Sequence, residues 1–139
     1  MQKLIKVYFQ IIEKALLKFI NEVSIMGIVT NLTDKYQKCI DACNRCAQAC
    51  DECTKLCLNE PDVQARVSCI GTLIECSSIC KQSACFMSFD SQFAKNLCML
   101  CATICEKCAQ DCQMFKDDHC VKCANECNAC ATECKTMSK

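Results

Sequence analysis

Cysteines recur through most of the chain at alternating steps of three and four residues. The longest run has six members, Cys39, Cys43, Cys46, Cys50, Cys53 and Cys57. A mean step of about 3.5 residues follows one face of an α-helix, whereas a strand repeats every two residues. The run therefore predicts a helix that carries a stripe of thiols, which we call a seam.

Three further stretches repeat this spacing. One is Cys98, Cys101, Cys105, Cys108 and Cys112; another is Cys120, Cys123, Cys127, Cys130 and Cys134; a thinner one is Cys69, Leu73, Cys76 and Cys80. The four seams predict helices over about 34–58, 61–84, from caps at 88–91 to about 114, and from a cap at Asp117 or Asp118 to about 137. Short connections make successive helices antiparallel neighbours. The expected fold is all-α, an antiparallel up-down-up-down four-helix bundle with a cysteine-lined core.

Twenty cysteines in 139 residues would usually indicate a secreted disulfide scaffold. Such scaffolds are rich in loops, but this chain has two Gly and one Pro. Thiols three or four apart on one helix are also poorly aimed for a disulfide. No convincing export signal is present, so we expect a cytoplasmic protein with free or metal-bound thiols. The 16 basic and 16 acidic residues balance, which disfavours nucleic acid as a partner.

The first 25 residues or so predict an extra amphipathic helix without cysteine. Its apolar face comprises Leu4, Ile5, Tyr8, Ile11, Ile12, Ala15, Leu16, Phe19 and Val23. This helix could cover an apolar surface of the bundle or of a partner subunit; membrane contact is disfavoured because its lysines are few. A third interpretation is that translation starts at Met26. We place the boundary between this segment and the cysteine-rich bundle at 1–31 and 32–139.

Packing alone does not explain a core of thiols, because Leu and Ile fill space better. The nineteen seam cysteines are therefore predicted to be metal ligands, with Cys85 out of phase. Cu(I) is soft and accepts two or three thiolates. If each thiolate bridges two ions, charges cancel one to one in the core, and the ceiling approaches roughly 20 ions.

Other thiol chemistries fit the spacing less well. Iron–sulfur sites use looped cysteine runs rather than straight helices. Zinc prefers separate sites with four donors, which an unbroken ladder does not provide. A thiol enzyme needs one distinguished cysteine of low pKa, and no pair stands out here, so no catalytic residue is predicted. An iron–sulfur carrier and a zinc-buffering protein remain the alternatives.

The two ends of the predicted bundle differ. His119 lies in the turn before the last helix, at the end where the second helix has no thiol before Cys69. We predict that this polar end admits metal and that His119 is a ligand. The other end is predicted to be an apolar plug made of Phe86, Met87, Phe89, Phe93 and Leu97.

A second apolar stripe accompanies the seams on two helices. It comprises Val63, Val67, Ile70 and Ile74, and then Phe93, Leu97, Leu100 and Ile104. These side chains either flank the core and close the bundle, or form a face for subunit contact.

From Tyr36 to Met137 the chain resembles the bacterial cytosolic copper storage proteins, which are cysteine-rich four-helix bundles. The matching stretches are CIDACNRCAQACDECTKLC at 39–57, CIGTLIECSSIC at 69–80, CMLCATICEKC at 98–108 and HCVKCANECNACATEC at 119–134. The resemblance implies a store of many Cu(I) ions inside the bundle and a homotetramer. Members of that family often carry several histidines before the fourth helix, where this chain has His119 alone.

Overall fold

The computed structural model describes the backbone of residues 1–139 and every side chain except those of residues 23 and 24. Its helices are α1 (Gln2–Ser24), α2 (Asp34–Leu58), α3 (Val67–Ser88), α4 (Ala94–Cys112) and α5 (Asp118–Ser138), with a 3-10 turn at Val63–Arg66. No strand occurs in the part of the chain that the structure describes. The predicted all-α fold with an extra N-terminal helix is confirmed.

Helices α2 to α5 form a closed ring of antiparallel neighbours. Helix α2 packs against α3 and α5, and α4 packs against the same two helices from the opposite corner. The seams face the axis of this ring. Buried alanines flank the seams and allow the backbones to approach closely: Ala47, Ala84, Ala94, Ala102, Ala109, Ala124 and Ala131. The core is thus built almost entirely from thiols and methyl groups.

The second bundle helix is shifted from its predicted position. It was expected over about 61–84, but residues 63–66 form the 3-10 turn and the α-helix continues one turn beyond Ala84. Around Pro61 the backbone forms hydrogen bonds between residues three apart, such as that from Val63 N–H to Glu60 O at 3.2 Å. This is the 3-10 pattern, and the α-helix begins only after it. At its other end the helix is extended because Met87 lies fully buried in the core. The segment from Cys85 to Ser88, predicted as a connection, is therefore helical.

The caps of α4 and α5 also refine the predictions. Helix α4 begins at Ala94, later than the predicted caps, because Asp90 reverses the chain with a left-handed φ of 49°. Asp117 occupies the N-cap position of α5, as expected. Its carboxylate, however, does not cap the helix but pairs with Arg66.

Helix α1 stands outside the ring of four. Its large apolar side chains are exposed, namely Leu4, Ile5, Val7, Tyr8, Phe9, Ile11, Ile12, Leu16, Leu17, Phe19 and Ile20. The prediction that it covers the bundle is therefore wrong for the single chain, whereas covering a partner subunit stays a prediction. None of the described helices is both apolar and long enough to cross a membrane.

The apolar stripe on α3 and α4 only partly supports the core. Ile70 is buried and Ile104 packs partly against the thiols, but Val67, Ile74, Phe93 and Leu100 are exposed. For these four side chains the prediction that the stripe closes the bundle is wrong. They leave apolar surface on the α3–α4 side of the molecule.

Candidate metal centre

All nineteen seam cysteines lie inside the ring, none more than 4% exposed. Their thiols are free, and neighbouring sulfurs on different helices are 3.6–3.9 Å apart, as for Cys39 to Cys134 and Cys46 to Cys76. A disulfide would require about 2.05 Å. Three sulfurs that bind one metal ion with bonds of about 2.3 Å lie about 4.0 Å from one another. The sulfurs of the seams are therefore already spaced as metal ligands would be.

The sulfurs gather into groups that share members. One group is Cys43, Cys101, Cys130 and Cys134; the next are Cys46, Cys80, Cys105 and Cys130, and Cys46, Cys50, Cys76 and Cys127; a smaller one is Cys39, Cys98 and Cys134. Within each group the ligand atoms lie within 4.8 Å of one another. Because Cys46, Cys130 and Cys134 each belong to two groups, the arrangement is a continuous ladder rather than a set of separate sites.

His119 joins the ladder at the polar end. Its Nδ1 lies 3.5 Å from the sulfurs of Cys53 and Cys120 and 4.0 Å from that of Cys57. Its Nε2 is 3.1 Å from a carboxylate oxygen of Glu60. A carboxylate accepts the Nε2 proton, so the lone pair of Nδ1 points at the thiols. The four residues that include His119 form a mixed sulfur–nitrogen group at the end of the ladder.

Burial is the main electrostatic influence on the Cys120 thiol of this outer group. It raises the pKa of the Cys120 thiol to about 12, with the neighbouring Cys57 adding to the effect. A thiol must lose its proton to bind metal, so metal binding here releases protons.

Arg66 closes the same end and was not predicted as part of the site. Its side chain is only 5% exposed. Its guanidinium forms ion pairs with Asp62 at 2.6 Å and with Asp117 at 2.7 Å. These hydrogen bonds hold the pKa of both carboxyl groups below their usual range. A buried charge requires such pairing, which fixes the guanidinium in place.

The guanidinium also contacts the outermost sulfurs. Nη1 of Arg66 donates to Cys57 Sγ at 3.8 Å and to Cys120 Sγ at 3.7 Å. The ring of Phe115 stacks against the same group, 4.4 Å from the guanidinium carbon. The polar end is therefore capped by a cation held between two carboxylates, two thiols and an aromatic ring.

The sequence did contain a signal for this cap. Continuing the seam of α3 three residues back from Cys69 reaches Arg66, and continuing it seven residues forward from Cys80 reaches Met87. Both side chains are buried as seam members. The periodicity therefore extends beyond the cysteines at both ends of α3.

Met87 closes the opposite end. It is fully buried, and its sulfur accepts a hydrogen bond from Cys98 at 3.6 Å. Phe89, predicted as part of the plug, is 78% exposed, because the chain has already turned away from the core at that residue. The apolar plug is therefore Met87 with the half-buried Phe86 and Leu97. The inclusion of Phe89 and of Phe93, which is 55% exposed, is wrong.

Comparison with known proteins identifies the family. A family model described as copper storage protein, Csp, matches residues 32–139. The chain belongs to the copper storage protein family. The predicted resemblance is thereby confirmed.

Similar proteins include members from Bacillus subtilis and Streptomyces lividans. The chain is 43% identical to the uncharacterized cysteine-rich protein YhjQ of Bacillus subtilis over 84 residues, which are 60% of this chain and 77% of YhjQ. It is 38% identical to the apo form of copper storage protein 3 of Bacillus subtilis, with a TM-score of 0.69 over 75% of this chain and 99% of that one. It is 32% identical to a cytosolic copper storage protein of Streptomyces lividans loaded with five coppers, with a TM-score of 0.73 over 76% of this chain and 93% of that one.

These comparisons separate the chemistries that the sequence left open. Copper storage is the function of the family to which the chain belongs. None of the comparisons described supports an iron–sulfur carrier or a zinc-buffering protein.

Proposed function

We propose that the chain is a cytosolic store that sequesters many Cu(I) ions inside its four-helix bundle. The ligands are the nineteen seam cysteines, with His119 at the polar end. Cys85 takes no part, because it is exposed and lies outside the ladder. The cytosolic placement rests on the likeness to the Streptomyces lividans protein, which is described as cytosolic.

The observation that carries this proposal is the sharing of thiols between neighbouring groups. A Zn²⁺ site uses four donors for itself, so nineteen thiols could serve four complete sites and part of a fifth. Cys46 and Cys130 lie in two groups each, which suits ions that accept two or three bridging thiolates. Bridging also matches one Cu⁺ with one thiolate, which leaves little net charge in a dry core.

Anaerobic titration of the reduced protein tests the proposal. Cu(I) uptake should exceed about ten ions per chain, because Cu(I) ions can share bridging thiolates. Zn(II) uptake should stop near about five ions, because each Zn(II) takes four donors. Cys50→Ser should lower the Cu(I) count, since Cys50 lies midway along the ladder. Cys85→Ser is the matched control and should leave it unchanged. Saturation of the wild-type protein at one or two Cu(I) ions would refute storage.

A catalytic role is not part of the proposal. Catalysis by a thiol requires one accessible cysteine distinguished from its neighbours. Here the seam thiols are uniformly buried, and each shares its surroundings with other thiols. The arrangement favours capacity over reactivity at one position.

We further propose that residues 32–139 are the copper-binding domain and that residues 1–31 are an appendage involved in self-association. The family match begins at residue 32, and α1 stands outside the ring. Both α1 and the α3–α4 side expose apolar side chains, which supports association of copies, as in the predicted homotetramer. The formal net charge of zero supports neither nucleic acid nor an anionic membrane surface as a partner.

A further inference from the structure

We propose that Cu(I) enters the ladder from the side, through a groove between α2 and α5, and not along the axis past the polar end. This inference rests on the proposed storage function and concerns only the route. It changes the role of the polar end, which the sequence predicted to be the mouth.

The axial route is filled. Arg66 occupies the end of the bundle with contacts to Asp62, Asp117, Cys57 and Cys120, and Phe115 covers it. An ion arriving along the axis would have to displace a cation that two carboxylates hold in place. It would also meet that positive charge before any free thiol, since the outermost sulfurs already accept hydrogen bonds from it.

A groove of about 580 Å³ lies beside this end instead. Cys53, His119 and Cys123 line it, so it reaches the His119 group and also Cys123, whose sulfur lies 3.9 Å from that of Cys50 in a neighbouring group. Its other walls include Ala49 and Leu56 of α2 and Asn125 of α5. Because Nδ1 of His119 points at Cys53, an ion in the groove meets a nitrogen and a sulfur ligand together.

Charge at the rim favours a cation. Two basic residues, Arg45 and Lys122, line the groove beside three acidic ones, Glu52, Asp118 and Glu126. Arg45 and Glu126 pair across the groove at 2.8 Å, and Lys122 pairs with Asp118 at 2.7 Å. The Arg45–Glu126 bridge lies about two helical turns from Cys53, so it closes the end of the groove that is remote from His119.

A bulky side chain on the groove wall tests the route. Ala49→Trp places an indole in the groove, while Ala42→Trp is the matched control. Ala42 lies one heptad earlier on the same face of α2, is half-buried like Ala49, and does not line the groove. A second pair on α5 is Asn125→Trp with Asn128→Trp, where both positions are exposed and only the first lines the groove. If Ala49→Trp does not fold, the variants Asn125→Trp and Asn128→Trp test the same route.

The measurement is anaerobic stopped-flow loading with Cu(I) supplied as its acetonitrile complex, followed by the ultraviolet absorbance of Cu(I)–thiolate bonds. We expect Ala49→Trp or Asn125→Trp to slow loading roughly tenfold, as a barrier increase of 1.4 kcal/mol does. The two control variants should load at the wild-type rate. Adding Arg66→Ala to Ala49→Trp should restore rapid loading, because it opens the axial end.

The outcomes separate the route from the function. If the groove variants load at the wild-type rate, or if their controls are slowed equally, the lateral route is refuted. A double variant as slow as Ala49→Trp alone would refute Arg66 as the closure of the axial end. Wild-type protein that binds only one or two ions would instead refute storage, whatever the rates.

Discussion

At the scale of single residues, His119 is the one proposed ligand that is not a thiol. We expect His119→Ala to slow both loading and removal of Cu(I), because Nδ1 sits between Cys53 and Cys120 where the ladder ends. The final count should fall by at most one ion, since the thiols carry the capacity. Stopped-flow removal by a soft chelator and a parallel endpoint titration measure the two quantities. A large loss of capacity with unchanged rates would contradict this role.

Glu60, whose carboxylate contacts Nε2 of His119, allows a milder test of the same site. Glu60→Ala removes the acceptor of the Nε2 proton, and loss of such a partner typically weakens a metal site about tenfold or more. Glu75→Ala is a suitable control, because Glu75 is a carboxylate that is exposed and lies away from this group.

The buried seam positions and Met87 could be predicted from the sequence, whereas Arg66 was missed although the seam of α3 reaches it. A step of three or four is a local property of a helix, so each seam cysteine could be assigned from spacing alone. Arg66 and Met87 occupy the same seam, yet neither is a thiol. Their burial depends on a 3-10 turn and on an extra helical turn that tertiary packing determines. His119 was placed at the correct end because its position follows from antiparallel topology.

At the scale of the helices, the C-terminal turn of α3 provides the apolar closure. Met87→Ala should lower the free energy of unfolding of the reduced apo-protein by about 2–5 kcal/mol, because it empties a fully buried site. Phe89→Ala, two residues further on, should change it by no more than about 0.5 kcal/mol, because that ring is exposed. Urea unfolding followed by circular dichroism measures both. Equal losses would mean that the phenyl ring packs in solution.

Helix α1 should be separable from copper binding. Removal of residues 1–25 should leave the thermal unfolding of the bundle and the Cu(I) count unchanged, because α1 lies outside the ring. Self-association at a given concentration should decrease, since the exposed apolar side chains of α1 are lost. Sedimentation velocity of the two forms measures this. Loss of helicity in the bundle upon truncation would show that α1 supports the fold.

At the scale of the whole molecule, the bundle should exist without metal. The ring is stabilised before any ion binds. Alanine and other apolar side chains pack between the helices, and residues of high helix propensity lie on the outer faces. Circular dichroism of the reduced, metal-free protein should therefore show a helical chain. Cu(I) should then raise the free energy of unfolding by mass action, by about 2.7 kcal/mol for one site when free Cu(I) is at one hundred times its Kd. A metal-free coil that folds only with Cu(I) would contradict the preformed ladder.

The contrast between the seam cysteines and Cys85 has a practical consequence. Nineteen thiols are sealed in the core and one faces solvent on α3. An alkylating reagent applied to the folded protein therefore reaches one position per chain, which makes Cys85 a natural attachment point for a spin label or fluorophore. The probe would sit near the C-terminal end of α3, outside the metal ladder. It would report the approach of a neighbouring copy while copper fills the interior.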